Sequence, residues 1–183
     1  MDLNLNGGDF GVPCVSVIGD GFCYPCTMEL VVKKKIKKLY NALFEVFYQS
    51  ENLLLQVDGG GWSFRMKRIL QVLSWWHKWK AHDGENSSIF SVQQSHPFQI
   101  KKELHVFLAD FKGKSPDFLV IGSYTSLSFK VFKGHRLLAE IKHNFTLESF
   151  YKGKEKYNVT IYPEVDYAFI VALLVILDEN DTP

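Results

Sequence analysis

An excess of charge of either sign is missing from this chain. Its 183 residues carry 21 Lys and Arg against 20 Asp and Glu, a formal net charge of +1. That balance excludes a nucleic-acid binder driven by overall charge, while leaving room for a local basic patch. A basic leader is missing too: the chain begins Met1-Asp2-Leu3-Asn4-Leu5-Asn6-Gly7-Gly8-Asp9, and the apolar stretch 12–18 is interrupted by Pro13, Cys14 and Ser16. No secretory signal is expected from that pattern. Asp2 stands where myristoylation requires Gly. The expectation is an intracellular, cytoplasmic protein, with peripheral membrane or nuclear association compatible, and the sequons at Asn86, Asn144 and Asn158 are read as chance.

Cysteine is scarce, and all three copies, Cys14, Cys23 and Cys26, come early. Cys23-Tyr24-Pro25-Cys26 has the spacing of a redox or zinc pair, but no second pair supplies the remaining zinc ligands. A thioredoxin-like motif would follow a strand and open a helix, and this one lies in a Gly- and Pro-bearing segment. The cysteines are therefore read as incidental. The six histidines, His77, His82, His96, His105, His135 and His143, follow no metal spacing. Gly59-Gly60-Gly61-Trp62 lacks the Lys-Ser/Thr ending of a phosphate loop and reads as a turn. No nucleophile or paired-carboxylate site is apparent. No metal, no cofactor and no enzymatic activity are expected.

Apolar and aromatic residues are abundant, at 46% and 15%. They fall into short runs: Leu30–Ile36, Leu43–Tyr48, Leu53–Val57, Phe64–Leu70, Trp75–Ala81, Ile89–Val92, Leu104–Leu108, Phe118–Ile121, Leu127–Phe132, Leu137–Ile141 and Tyr157–Tyr162. Several alternate with period two, as Leu127, Phe129 and Val131 do against Ser128 and Lys130, which makes them half-buried strands. Turn residues between the runs, such as Asp83-Gly84 and Lys133-Gly134, suit an antiparallel sandwich or barrel. The hairpin pattern Phe44-Glu45-Val46-Phe47 followed by Leu53–Val57 recurs as Phe129-Lys130-Val131-Phe132 followed by Leu137–Ile141, which suggests two related parts of one sheet. Residues 1–27 read as a flexible leader, 28–178 as one domain and 179–183 as a short acidic tail.

One run is different. Tyr167-Ala168-Phe169-Ile170-Val171-Ala172-Leu173-Leu174-Val175-Ile176-Leu177 has no polar side chain except the Tyr hydroxyl. As a helix it would span about 16 Å, against roughly 30 Å of bilayer hydrocarbon. It is too short to cross a membrane, and its apolar surface must be surrounded by protein. A strand-rich chain with such a helix suggests a barrel closed around it.

The largest charge feature is Lys33-Lys34-Lys35-Ile36-Lys37-Lys38. On a strand, Lys33, Lys35 and Lys37 share one face, and Lys34 and Lys38 the other beside Ile36. The run could hold an anionic phospholipid headgroup, or it could be a solvated edge on which lysines discourage aggregation. Trp75-Trp76-His77-Lys78-Trp79 could stack single-stranded bases, but core filling is the better reading.

The stretch Tyr162-Pro163-Glu164-Val165-Asp166-Tyr167-Ala168-Phe169-Ile170, leading into Leu174-Val175-Ile176-Leu177-Asp178, closely resembles the C-terminal signature of the plant LURP-one-related proteins. Val106-Phe107-Leu108, Asp117–Tyr124 and Trp75–Lys80 match as well, so the resemblance runs from about 22 to 180. It implies a mostly β, tubby-like fold: a twelve-stranded closed antiparallel barrel around a central hydrophobic helix, shared with tubby domains and phospholipid scramblases. It implies no catalysis. It does imply a link to plant defence and a binding module for an anionic phospholipid or a protein partner; tubby domains hold such lipids through basic side chains. A scramblase-like lipid-translocating protein and a degenerate paralogue are the alternatives. Two departures stand out. Phe22-Cys23-Tyr24-Pro25-Cys26 replaces the relatives' Phe-Cys-x-Pro-Tyr-Pro, and the junction Lys67–Trp75 lacks a turn and strand found in relatives. The latter predicts one strand or hairpin missing near 70–75, a gap in the barrel and reduced stability.

Overall fold

The short apolar runs become strands, and pairing between them closes on itself. A computed structural model describes residues 12–38, 41–48, 51–60, 63–66, 70–75, 78–83, 85, 87–95, 101–108, 115–123, 128–144, 146 and 154–179. The strands are β1 (Cys23–Tyr24), β2 (Met28–Lys38), β3 (Asn41–Tyr48), β4 (Leu53–Gly60), β5 (Ser63–Met66), β6 (Leu70–Trp75) and β7 (Lys78–His82). They continue with β8 (Ser88–Gln94), β9 (Lys101–Leu108), β10 (Phe118–Ser123), β11 (Ser128–Lys133), β12 (Arg136–His143), β13 (Lys154–Ile161) and β14 (Val165–Asp166), before the helix α1 (Tyr167–Glu179). Strands β2 to β13 form a closed barrel, ordered β10-β11-β12-β13-β2-β3-β4-β5-β6-β7-β8-β9, with β9 pairing back onto β10. Closure satisfies the backbone groups that an open sheet would leave at its edges.

The expected gap near 70–75 is absent. Gln71–Ser74, all that remains of the shortened junction, lies within the strand Leu70–Trp75, which pairs with β5 on one side and β7 on the other. The run 64–70, read as one strand, supplies β5 and the first residue of β6, and the run 75–81 is likewise split between β6 and β7. β5 has four residues where β2 has eleven. A hairpin with short arms keeps its place in the ladder, so a shortened sequence does not have to open the wall. The ground for expecting reduced stability goes with the gap. Of the turn read at Gly59-Gly60-Gly61-Trp62, Gly59 and Gly60 instead belong to β4, Gly59 pairing with both Ala42 and Phe64 and Gly60 with Ser63, while Gly61 and Trp62 lie outside the described residues.

The repeated hairpins are equivalent in detail. In β3–β4, Phe44, Glu45 and Val46 face Val57, Gln56 and Leu55, and the register then slips between Val46 and Phe47. In β11–β12, Phe129, Lys130 and Val131 face Ile141, Glu140 and Ala139, and the slip falls between Val131 and Phe132. In both, the extra residue lies on the second strand opposite the Val-Phe step, Leu54 in β4 and Leu138 in β12, which bends those strands and tightens their twist at matching places.

Inside the barrel, α1 extends two residues beyond the apolar run, and Ala168 to Leu177 are all buried. Phe169 packs against Phe90 and Phe118, with ring centroids 5.3 Å and 5.0 Å away. No helix among the described residues is long and apolar enough to cross a membrane.

The first part of the chain is better ordered than its composition suggests from residue 12 onward; residues 1–11 lie outside the described residues. Val15 bridges Val165, and β1 pairs with β14. Arg136 donates to the carbonyls of Pro13 and Pro163, at 2.6 Å and 2.8 Å. The Asp166 carboxylate is the organising group. Its Oδ1 accepts the Phe169 N–H at 3.0 Å, capping α1, while Oδ2 accepts the N–H groups of Val17, Ile18 and Gly19 at 3.1, 2.7 and 3.1 Å. Successive backbone amides converging on one oxygen form an anion nest, here filled by the protein's own helix cap.

Candidate functional site

The alternation of β2 decides where its lysines go. Met28, Leu30 and Val32 face the core, so Lys34 continues that inward row, while Lys33 and Lys35 face outward. The five-lysine run is therefore divided between two environments. Lys37 and Lys38 end β2, and their side chains lie outside the described residues.

Lys34 enters a buried polar cluster at the C-terminal end of α1. Its Nζ lies 3.0 Å from Oδ1 and 2.8 Å from Oδ2 of Asp178, and 3.5 Å from Oε2 of Glu155. The Tyr157 hydroxyl donates to Asp178 and also lies 3.0 Å from Glu155 Oε2. His143 stacks on the Tyr157 ring with centroids 4.4 Å apart, and its Nε2 is 3.6 Å from Glu155 Oε2. Burial alone would lower the Lys34 pKa, but the Asp178 and Glu155 carboxylates outweigh it and hold the ammonium above its ordinary range. Burial pushes the Asp178 carboxyl up against the opposing pull of Lys34. The two shifts differ in origin, the carboxylates acting on Lys34 and burial on Asp178, but both favour the protonated form. Burial lowers the His143 pKa, against the pull of the nearby carboxylates. Burial and Asp178 raise the Tyr157 pKa, keeping its hydroxyl a donor. Lys34 is thus withdrawn from any surface anion site and serves the core.

The outer face gains lysines that the run did not include. β13 pairs with β2 so that Lys156 is opposite Lys33 and Lys154 opposite Lys35. Both β13 lysines are exposed. Glu45, on β3, sits 2.7 Å from Lys35, and the Lys33 ammonium lies 4.5 Å from the centre of the Phe47 ring. The sequence signal for the added pair is Lys154-Glu155-Lys156, in which period two turns both lysines one way and Glu155 the other.

The remaining candidates separate clearly. Trp79 is buried with the core, whereas the side chains of Trp75 and Trp76 lie outside the described residues. His105 Nε2 is 2.6 Å from Glu103, and His135 is exposed in the β11–β12 turn. His77 and His96 lie outside the described residues. Among the described residues no group of three or more His, Cys, Asp or Glu is placed to hold a metal ion. The Cys-x-x-Cys spacing proves misleading, since the thiol in contact with Cys23 belongs to Cys14.

A family model described as LURP-one-related matches residues 28–178. The chain is 41% identical to Protein LURP-one-related 14 of Arabidopsis thaliana, with 93% of each covered, and 35% identical to Protein LURP-one-related 9 of the same plant, covering 91% of this chain and 98% of the relative. An X-ray structure of another Arabidopsis thaliana protein aligns with a TM-score of 0.66 at 26% identity, covering 90% of this chain and 97% of that one. A match across the whole barrel and its helix, together with relatives of this similarity and coverage, means that the chain belongs to the LURP-one-related family.

Proposed function

We propose that this chain is a non-catalytic binding module that takes an anionic phospholipid headgroup on the outer face of β2 and β13, through Lys33, Lys35, Lys154 and Lys156. The supporting observation is the register that sets two lysine pairs directly opposite one another. Like charges in that arrangement destabilise a sheet, and a phosphate-bearing ligand would relieve the repulsion. Near an anionic membrane each lysine contributes about 1 kcal/mol, so four give about 4 kcal/mol, close to a thousandfold in affinity. The tubby-like barrel and the tie to plant defence, both implied by the resemblance, fit a lipid-responsive module.

Liposome flotation with and without a phosphoinositide tests this reading. Lipid-dependent flotation should weaken with salt and be lost in the Lys33→Glu, Lys156→Glu double variant, which changes only outward side chains. Absence of flotation at low salt would overturn lipid binding and leave a protein partner as the reading.

A further inference from the structure

Cys14 and Cys23 are nine positions apart, yet their Sγ atoms lie 2.8 Å from each other, with the Cys14 thiol donating. Both are free cysteines; Cys14 is exposed and Cys23 partly covered. Backbone bonding sets this contact. Val15 N–H donates to the Glu164 carbonyl at 2.7 Å, and Asp166 N–H to the Val15 carbonyl at 3.1 Å. Glu164 N–H donates to the Tyr24 carbonyl at 2.7 Å, and Cys23 itself pairs with Asp166. The residues next to both cysteines are thereby fixed on the same three-residue stretch. A disulfide needs an S–S distance of about 2.05 Å, less than an ångström closer than the thiols already are.

We propose that Cys14 and Cys23 form a redox-reversible disulfide that locks the N-terminal segment over the first turn of α1. With glutathione disulfide as oxidant, the exposed Cys14 thiolate attacks one glutathione sulfur and expels the first glutathione, leaving a mixed disulfide. The Cys23 thiolate then attacks the Cys14 sulfur and expels the second. Two protein thiols become one disulfide, and one glutathione disulfide becomes two thiols, so atoms and electrons balance. Exposure makes Cys14 the first nucleophile. Burial, the Cys14 contact and the nearby Asp166 push the Cys23 thiol up to about 12, which suits a slower resolving role. The ring so closed contains Val17, Ile18 and Gly19, whose amides grip the Asp166 carboxylate. Oxidation would restrict the unfolded freedom of that grip, whereas reduction would leave it held by hydrogen bonds alone.

The test uses the full chain equilibrated in glutathione buffers of graded oxidised-to-reduced ratio. Free thiols are then alkylated, and the protein is cleaved by chymotrypsin at Phe22, between the two cysteines, for mass spectrometry without reduction. A Cys14–Cys23 linkage should accumulate with the oxidised fraction, and the melting temperature should rise by about 5–10 °C. Cys26→Ser should behave as the parent, while Cys14→Ser and Cys23→Ser should lose both effects. A Cys23–Cys26 linkage, glutathione adducts alone, or a Cys14–Cys23 bond that leaves the melting temperature unchanged would each overturn the proposal.

Discussion

Replacing Lys34 by Met keeps most of the apolar stem of the side chain and removes its ammonium, with both its charge and its hydrogen bond to Asp178. The ammonium lies 2.8 Å from Asp178 and 3.5 Å from Glu155, and little of any of the three side chains is exposed. At an effective dielectric of about 20, those separations correspond to about 6 and 5 kcal/mol of attraction. Desolvating three charged groups offsets most of that, so the intact cluster contributes little net stability. Its one-sided removal is different, because Asp178 is left as a buried carboxylate without the cation that neutralises it. The expected cost is about 3–5 kcal/mol. At about 2–4 °C per kcal/mol for a chain of this size, Tm should fall by about 10 °C.

The same variant has a definite pH signature. Without Lys34, the folded-state pKa of Asp178 rises further above the unfolded value, so the folded chain binds a proton that the unfolded chain releases. The deficit is then full at neutral pH and shrinks as pH falls towards the carboxylate range. Adding Asp178→Asn to Lys34→Met should recover most of the loss, since no buried charge remains. Urea unfolding of the parent, the single and the double variant at pH 7.5 and pH 4.5 measures all three quantities. A deficit below about 1 kcal/mol at pH 7.5, or one identical at both pH values, would refute the reasoning that Lys34 neutralises a buried acid.

Two further substitutions probe the wall and the helix entrance. Gly122 is buried opposite Phe129, and a Cβ there would lie 1.8 Å from Cδ1 of that ring. Gly122→Ala should therefore cost about 1–3 kcal/mol in thermal or urea unfolding, with partial recovery when Phe129 is shortened to Leu. Asp166→Ala removes the helix cap and the acceptor for three further amides. It should cost about 2–4 kcal/mol and make residues 12–22 the first site of limited proteolysis, which mass spectrometry of the fragments would locate.

The strands were legible because alternation is local: Leu104, Val106, Val131 and Val159 are inward residues that a period of two identifies without knowledge of their neighbours. The direction of Lys34 was legible for the same reason, since it shares the inward phase of Leu30 and Val32. Its partners were not. Asp178 is 144 positions away, and Glu155 becomes an inward acid only once β13 is registered against β2. The same long-range register sets Lys154 and Lys156 beside the lysine run. The misreadings share this origin. Gly59 and Gly60 look like a turn until β3 and β5 are known to flank them, and the leader looks loose until Asp166 gathers its amides.

The two buried acids at the ends of α1 address a problem that the apolar helix creates. Hydrophobic burial has no direction, so a helix apolar on every side gains nearly the same energy at many rotations and depths inside its barrel. Asp166 at the start and Asp178 near the end break that degeneracy, since each accepts bonds from fixed groups. The first is held by the amides of Val17, Ile18 and Gly19, the second by Lys34 on β2 and Tyr157 on β13. They stand twelve positions apart, about 18 Å along a helix, so a shift of one residue would move both carboxylates about 1.5 Å along the axis and turn them by about 100°. Neither could then keep its partners, and each misplaced carboxylate would cost several kcal/mol. The polar ends thus select one position of the helix among many that the apolar surface alone would permit. On this reasoning Lys34 belongs to the specification of the fold, and the anion site proposed above rests on the outward lysines beside it.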